Sequence, residues 1–449
     1  MVAKKIIVCT TMLVAAAGLA ACSGNSGDSA GNGGSAGGTT AKTEKPPEPV
    51  ALTFYDPAAK QDPAVFMQQF GNAIVKKYPY ITINYVSSPD TNPEGDIANR
   101  IAAGEPIDVM LNADINHYRL ITPFKFEYDM NGLIKSRGYD LSKLDPSTVK
   151  AVQSFSSNGG MFALPYKKTT MGLMYNKDLF DKFGQAYPKD GMTWDQVYDV
   201  AKTMTRNDGG TQYRGFITQF YNVAWLNQLS LGFVDPKTDK PLFNTDDRWA
   251  RLTKNLTRFY EIPGNATQET TFGAISNLFL KDQRAAMYAY AIPTTPQDVN
   301  WNVVTFPEFA DRPGVGPQSL LTLAYVTSTS KHKEAAFDAI SWLTSDEVQT
   351  SMSKQALAFP VVNSQAVKDA FGQDTPFLQD KNVKALMKAK PADPFPGSPY
   401  QRTAGVQFEK LMYQLTKGAM DVNTGLRTMA EEAEKEIEKA KSAAAAAAK

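Results

Sequence analysis

Apolar residues cluster from Leu52 to Tyr55 and from Asp108 to Leu111 and alternate with polar ones from Ile81 to Val86, while Pro63 to Lys77 and Asp96 to Ala103 repeat at helical spacing. Strand, helix, strand, helix, strand in that order predicts βαβ units and a parallel sheet. Met171 to Tyr175 is apolar and aromatic enough for a buried strand, and Pro165 breaks the run ahead of it. Thr193 and Gln196 have the spacing of a capping box and predict a helix from Trp194 to Thr205; Thr344 and Glu347 repeat that signal ahead of a helix from Asp346 to Met352. Further helices are predicted from Asp246 to Tyr260, from Lys333 to Leu343 and from Gln407 to Leu415. The last stretch, Asn423 to Lys449, is rich in Ala, Glu and Lys and predicts a solvated helix with frayed final turns. No fixed-period repeat is visible.

The first fifty residues follow none of these periods. Lys4 and Lys5 precede an apolar segment from Ile6 to Ala21, shorter than the roughly 20 residues a spanning helix needs, so it reads as a cleaved secretion signal. Its end, Leu19-Ala20-Ala21-Cys22, resembles the bacterial lipobox, whose cysteine becomes the lipid-modified first residue of the mature chain. Cys9 would be removed with the signal (residues 1–21), leaving Cys22 as the only cysteine and no disulfide or cysteine metal site within the mature chain. Ser23 to Thr40 is nearly all Gly, Ser, Asn, Ala and Thr, a composition that buries no core; residues 22–50 are therefore a lipidated cysteine and a flexible tether. Gly33 to Gly37 matches the G-x-S-x-G pattern of serine hydrolases, but the tether supplies neither the strand before nor the helix after that a nucleophile elbow needs.

About 400 residues remain, enough for two substantial lobes. Without Lys4 and Lys5 the mature chain, tether included, carries 45 basic and 46 acidic side chains, a balance that points to neither nucleic acid nor electrostatic membrane binding. With only two histidines, His117 and His332, the chain lacks partners for a Ser-His-Asp triad, a Cys-His dyad or a histidine metal site, and no phosphate-binding glycine loop follows a strand. Carboxylate pairs are too numerous to exclude a glycosidase on composition. In parallel sheets ligands bind beyond the carboxyl ends of strands, which singles out Tyr55-Asp56 after the first strand and Asn112-Ala113-Asp114 after the third. For each acid, helix capping is the alternative role.

The stretch Phe162 to Trp194, FALPYKKTTMGLMYNKDLFDKFGQAYPKDGMTW, and the later order FLKDQRAAMYAYAIP, NWNVVTFP, an apolar run ending at Thr327 and a helical segment through Trp342 resemble the extracellular solute-binding proteins of ABC importers, in the branch that includes the maltose-binding protein. The resemblance runs from about Leu52 to the C-terminus. It implies an α/β, two-lobed periplasmic-binding-protein fold with a hinged ligand cleft, residues 51–168 plus 306–328 forming one lobe and 169–305 plus 329–449 the other. Chain crossings are implied near Lys167 to Gly172, Val304 to Pro307 and Thr327 to Lys331. It also implies a binding protein and not an enzyme, with no cofactor and no metal: a monomer that captures a sugar or oligosaccharide and delivers it to ABC permease subunits. Its expected place is lipid-anchored on the outer face of the cell membrane, a Gram-positive surface suiting the long tether better than a periplasm. Positions in the family pattern suggest Tyr55, Asp56, Asn112 and Asp114 in the first lobe and Trp225, Tyr290, Tyr400 and Arg402 in the second. Thr169 stands at a hinge position where a relative carries an acid. For Trp225, in VAWLNQL, packing in a buried helix face is the competing role. Lys167, Lys168 and Arg402 raise an anionic sugar, such as a uronate oligomer, as a variant ligand. A lipid-anchored glycan hydrolase, and a sensor or adhesion protein on the same fold, are the readings from other classes.

Overall fold

The computed structural model describes residues 48–447 apart from 58–60, 90 and 157; the signal segment, Cys22 and most of the tether lie outside them. The predicted strands at the start assemble in one five-stranded sheet. Strand β1 (Val50–Asp56) pairs in parallel with β2 (Ile81–Ser87) on one side and with β3 (Val109–Ala113) on the other. The order continues with β9 (Leu320–Val326), antiparallel to β3, and ends with β4 (Leu164–Thr169). A second sheet has the order β8 (Trp301–Thr305), β5 (Gly172–Asn176), β7 (Met287–Tyr290), β6 (Ile217–Thr218).

Each sheet carries its own core. Leu52, Phe54, Val109, Leu323 and Val326 are wholly buried in the first, and every such large apolar side chain contributes about 1.5–3 kcal/mol relative to exposure. In the second, Trp249 and Phe408 lie with ring centroids 5.3 Å apart, and Phe233 stacks on Trp249 at 5.2 Å. The chain passes from the first sheet to the second at Thr170–Met171, between β4 and β5, and returns between β8 and β9.

The third crossing lies elsewhere than Thr327 to Lys331. There Thr327 N–H donates to the Asp108 carbonyl and Ser330 Oγ to the Asp108 carboxylate, so the chain stays with the first sheet. The helices Lys333–Trp342 and Asp346–Lys354 bury Ala336, Phe337, Ile340, Val348 and Met352 in the first core, not in the lobe to which 329–449 was assigned. Only at Ala356 and Phe359 does the chain reach side chains packed on the second sheet.

Local signals fare unevenly. Both bonds of the Thr193–Gln196 capping box form, and the helix runs Trp194–Met204. At the other box the cap is Ser345, whose hydroxyl accepts from Val348 N–H, because Thr344 is spent on the Ser341 carbonyl and the Tyr139 hydroxyl. The segment Pro63–Lys77 is helical but passes through a π turn, Met67–Gly71. The C-terminal helix, Val422–Ala447, is not merely solvated: Leu426, Met429, Ala433 and Ile437 form a buried stripe in the second core.

Candidate functional site

A cleft enclosing about 810 Å³, open mouth included, lies between side chains of the two cores. From the first side come Asp114, Tyr118 and Arg119, just beyond β3, with Phe155. From the second come Trp225, Phe233, Gln401 and Arg402. Gln318 and Ser319, on the crossing between β8 and β9, and the segment from Pro394 to Pro399 complete the wall. The mix of rings with a few polar groups is that of a small-molecule site.

Asp114 is the electrostatic centre. It opens a 3₁₀ turn after β3, and its Oδ2 accepts from the Leu321 N–H at 3.1 Å, so it caps no helix. Its Oδ1 is buried without a partner. Burial pushes the carboxyl up to about 7, against the pull of the Leu321, Ile115 and Asp114 backbone N–H groups. Tyr118 donates to the Gly397 carbonyl at 3.1 Å, and burial pushes its hydroxyl up to about 12. Arg119 grips Glu94 through Nε and Nη2, the latter at 2.8 Å. Although burial pushes the Glu94 carboxyl upward, those bonds, with the Arg402 charge nearby, hold it below its ordinary value. Arg402 is exposed, lines the cleft and has no ion-pair partner among the described residues. Beside it the buried Tyr221 hydroxyl lacks a hydrogen bond, and burial pushes it up to about 12.

Of the nine suggested ligand residues, the fold brings Asp114, Trp225 and Arg402 into this cleft. Trp225 lines the cleft while stacking on Tyr221 at 5.7 Å and packing on the second core. The others lie outside its lining. Tyr55 is wholly buried and donates to Asp96 Oδ2 at 2.6 Å, a structural bond inside the first core. Asp56 accepts from Tyr85 at 3.2 Å. Asn112 is buried with both amide atoms unpartnered, two residues from Asp114. Thr169 pairs with Leu320 at the end of β4. Tyr290 stacks on Tyr288 at 5.5 Å and meets Phe272 edge-on. Tyr400 sits under Lys441, whose Nζ is 5.4 Å from the ring centroid, although Pro399 and Gln401 on either side line the cleft. Tyr55 and Asp56 do stand at the carboxyl end of β1 and Asn112 near that of β3, yet none of the three lines the cleft.

The sequence passed over Tyr118, Arg119, Phe155, Gln318 and Phe395. Tyr118 and Arg119 stand four and five residues after Asp114, one helical turn on, a spacing that would have flagged them. Phe395, in a proline-rich stretch without periodicity, carried no such signal. His117 is buried, accepts or donates at 3.1 Å to the Tyr325 hydroxyl, and is pushed down to about 4 by burial, which keeps it neutral and structural. No group of three or more His, Cys, Asp or Glu able to hold a metal occurs among the described residues.

Two α/β lobes joined by several crossings, with a polar and aromatic cleft between them, define a binding protein of the periplasmic type. The chain belongs to the bacterial extracellular solute-binding proteins, whose family profile matches residues 57–350. It is similar to an ABC substrate-binding protein from Listeria monocytogenes solved in complex with cycloalternan, at 17% identity over 87% of this chain and 99% of that one, with a TM-score of 0.66. A sugar transporter from Rhizobium etli, in an open conformation, aligns at 19% identity over 86% and 99%, TM-score 0.68. The sugar-binding protein MalE from Xanthomonas citri aligns at 14% over 87% and 98%, TM-score 0.67. At such identities the likeness is one of fold. No curated protein matches.

Proposed function

We propose that this protein is the substrate-binding component of an ABC importer, that its ligand is a neutral sugar or short oligosaccharide, and that it works outside the membrane as a monomer tethered through a lipid on Cys22. One observation carries the ligand class: a buried carboxyl oxygen of Asp114 without a hydrogen-bond partner, set among Tyr118, Phe155 and Trp225. Sugar hydroxyls satisfy such an acceptor, and rings stack on the apolar face of a sugar, by analogy with aromatic pairs. Solved neighbours carrying cycloalternan or D-mannitol are consistent with this class.

The charges favour a neutral ligand over a uronate. Lys168 is paired with Asp145 at 2.8 Å, and Lys167 lies over Phe70 at 4.9 Å, leaving Arg402 alone of the three at the cleft. Hydrolysis is disfavoured because Asp114 is the only carboxylate among the described lining residues, and a glycosidase needs a pair. Ligand would shift the lobes toward the closed state by its greater affinity for that state, with no energy stored, and a separate subunit would hydrolyse ATP. Thermal-shift screening of the chain begun after Cys22, against neutral and acidic mono- and oligosaccharides, tests this reading. Stabilisation by a neutral sugar is the expected result; stabilisation by acidic sugars alone, or turnover of a glycan, would overturn it.

A further inference from the structure

The segment Lys390–Pro399 belongs to neither sheet, yet it is tied to both sides of the cleft. Lys390 N–H donates to the Gly314 carbonyl and Ala392 N–H to the Gly316 carbonyl, fixing the segment to the crossing between the lobes. Toward the first lobe, Asp393 pairs with Lys150 at 2.7 Å and the Gly397 carbonyl accepts from Tyr118. Between these anchors Phe395 N–H donates to Gln318 Oε1 at 3.3 Å, and Gln318 is itself held by the Leu226 and Asn227 carbonyls of the second lobe.

The Phe395 ring lies against bare backbone. A Cβ at Gly232 would sit 2.0 Å from two of its ring carbons, far inside van der Waals contact, so the ring occupies its place only because residue 232 has no side chain. Gly232 does not need glycine for its backbone conformation, since its φ is outside the left-handed region. What glycine supplies there is space. The half-buried ring so seated lines the same cleft as Asp114.

We propose that Lys390–Pro399 is the specificity wall of this cleft and that Phe395, cradled on Gly232 and held by Gln318, is the ring on which an apolar sugar face stacks. The assignment rests on the sugar-binding reading and names a residue that reading does not require. Phe395 and Gly232 act as a unit: losing the ring and losing its seat have the same effect on binding.

Titration calorimetry with D-glucose, maltose and maltotriose tests it, on the chain begun after Cys22. For whichever of these binds, Phe395→Ala should weaken binding about three- to tenfold, the size of an aromatic stacking contribution. Gly232→Ala should weaken it to a similar degree, and the double variant should bind no worse than either single one. Phe395→Leu, which keeps apolar bulk and removes the ring, should also weaken binding with an unchanged ligand-free melting temperature, and it decides the matter if Gly232→Ala fails to fold. Unchanged affinity in Phe395→Ala, or full additivity in the double variant, would overturn the wall while leaving the sugar site standing. No saturable binding of any of the three sugars by the unaltered protein would overturn both.

Discussion

Raising the pH from 5 to 8 should destabilise the ligand-free protein through one side chain. The Asp114 carboxyl is buried against a single tertiary donor, the Leu321 N–H at 3.1 Å, and burial carries it to about 7. An unfolded aspartate titrates near ~3.9, so between about pH 4 and 7 the native chain holds a proton that the unfolded chain has released, and stability falls as the pH rises. About three pH units at ~1.36 kcal/mol each set a contribution on the order of 4 kcal/mol, absent below about pH 4 and complete above pH 7. Calorimetric melting across this range should show the decline, and Asp114→Asn, which keeps the shape without the charge, should flatten it. Sugar reverses the preference. Hydroxyls donating to the partnerless Oδ1 favour the carboxylate, so binding should expel a proton and tighten as the pH rises. Titration calorimetry near pH 6.5 in phosphate and in imidazole, buffers of different ionisation enthalpy, reads that proton directly. Equal binding enthalpies in the two buffers, with the same melting slope in Asp114→Asn, would refute the reasoning.

Gly397→Ala would place a Cβ 2.4 Å from the Tyr118 ring, so it should oppose closure, giving weaker sugar binding and a more extended scattering profile at saturating ligand than the unaltered protein. Phe408→Ala, at a wholly buried ring packed on Trp249, Phe243 and Phe233, should cost about 3–5 kcal/mol in urea unfolding, with sugar affinity of the folded fraction unchanged. Cys22→Ala should release the protein from the membrane fraction, since among the described residues no helix is long and apolar enough to cross a membrane. A variant that still sediments with membranes in high salt would remove the lipid anchor from the proposal.

Much of the architecture was legible because it is written in local periods. The alternation at Ile81–Val86, the apolar run Met171–Tyr175 and the Thr193–Gln196 box each specify an element through contacts within a few residues, and each element formed close to its predicted bounds. The helix Lys333–Trp342 shows where that legibility stops. Its apolar stripe announces a helix but is equally suited to either sheet, and only packing assigned Phe337 and Ile340 to the first core.

The candidate site divides along the same line. Sequence alone fixed the βαβ order, and with it the strand ends beyond which a ligand sits, so it reached Asp114 after β3; it also supplied Trp225 and Arg402 through the family pattern. It could not separate Asp114, whose carboxyl is stranded at the cleft, from Tyr55, whose hydroxyl is consumed by Asp96 within the core, because both stand at the carboxyl end of a strand and periodicity does not say which way each side chain turns. Nor could it reach Phe395, whose place depends on a missing Cβ at Gly232, 163 positions earlier in the chain. Periodicity is a property of neighbours along the backbone and is readable there. A cleft is made of residues far apart in sequence, and its shape exists only once the two cores and the crossings between them have set where each side chain points.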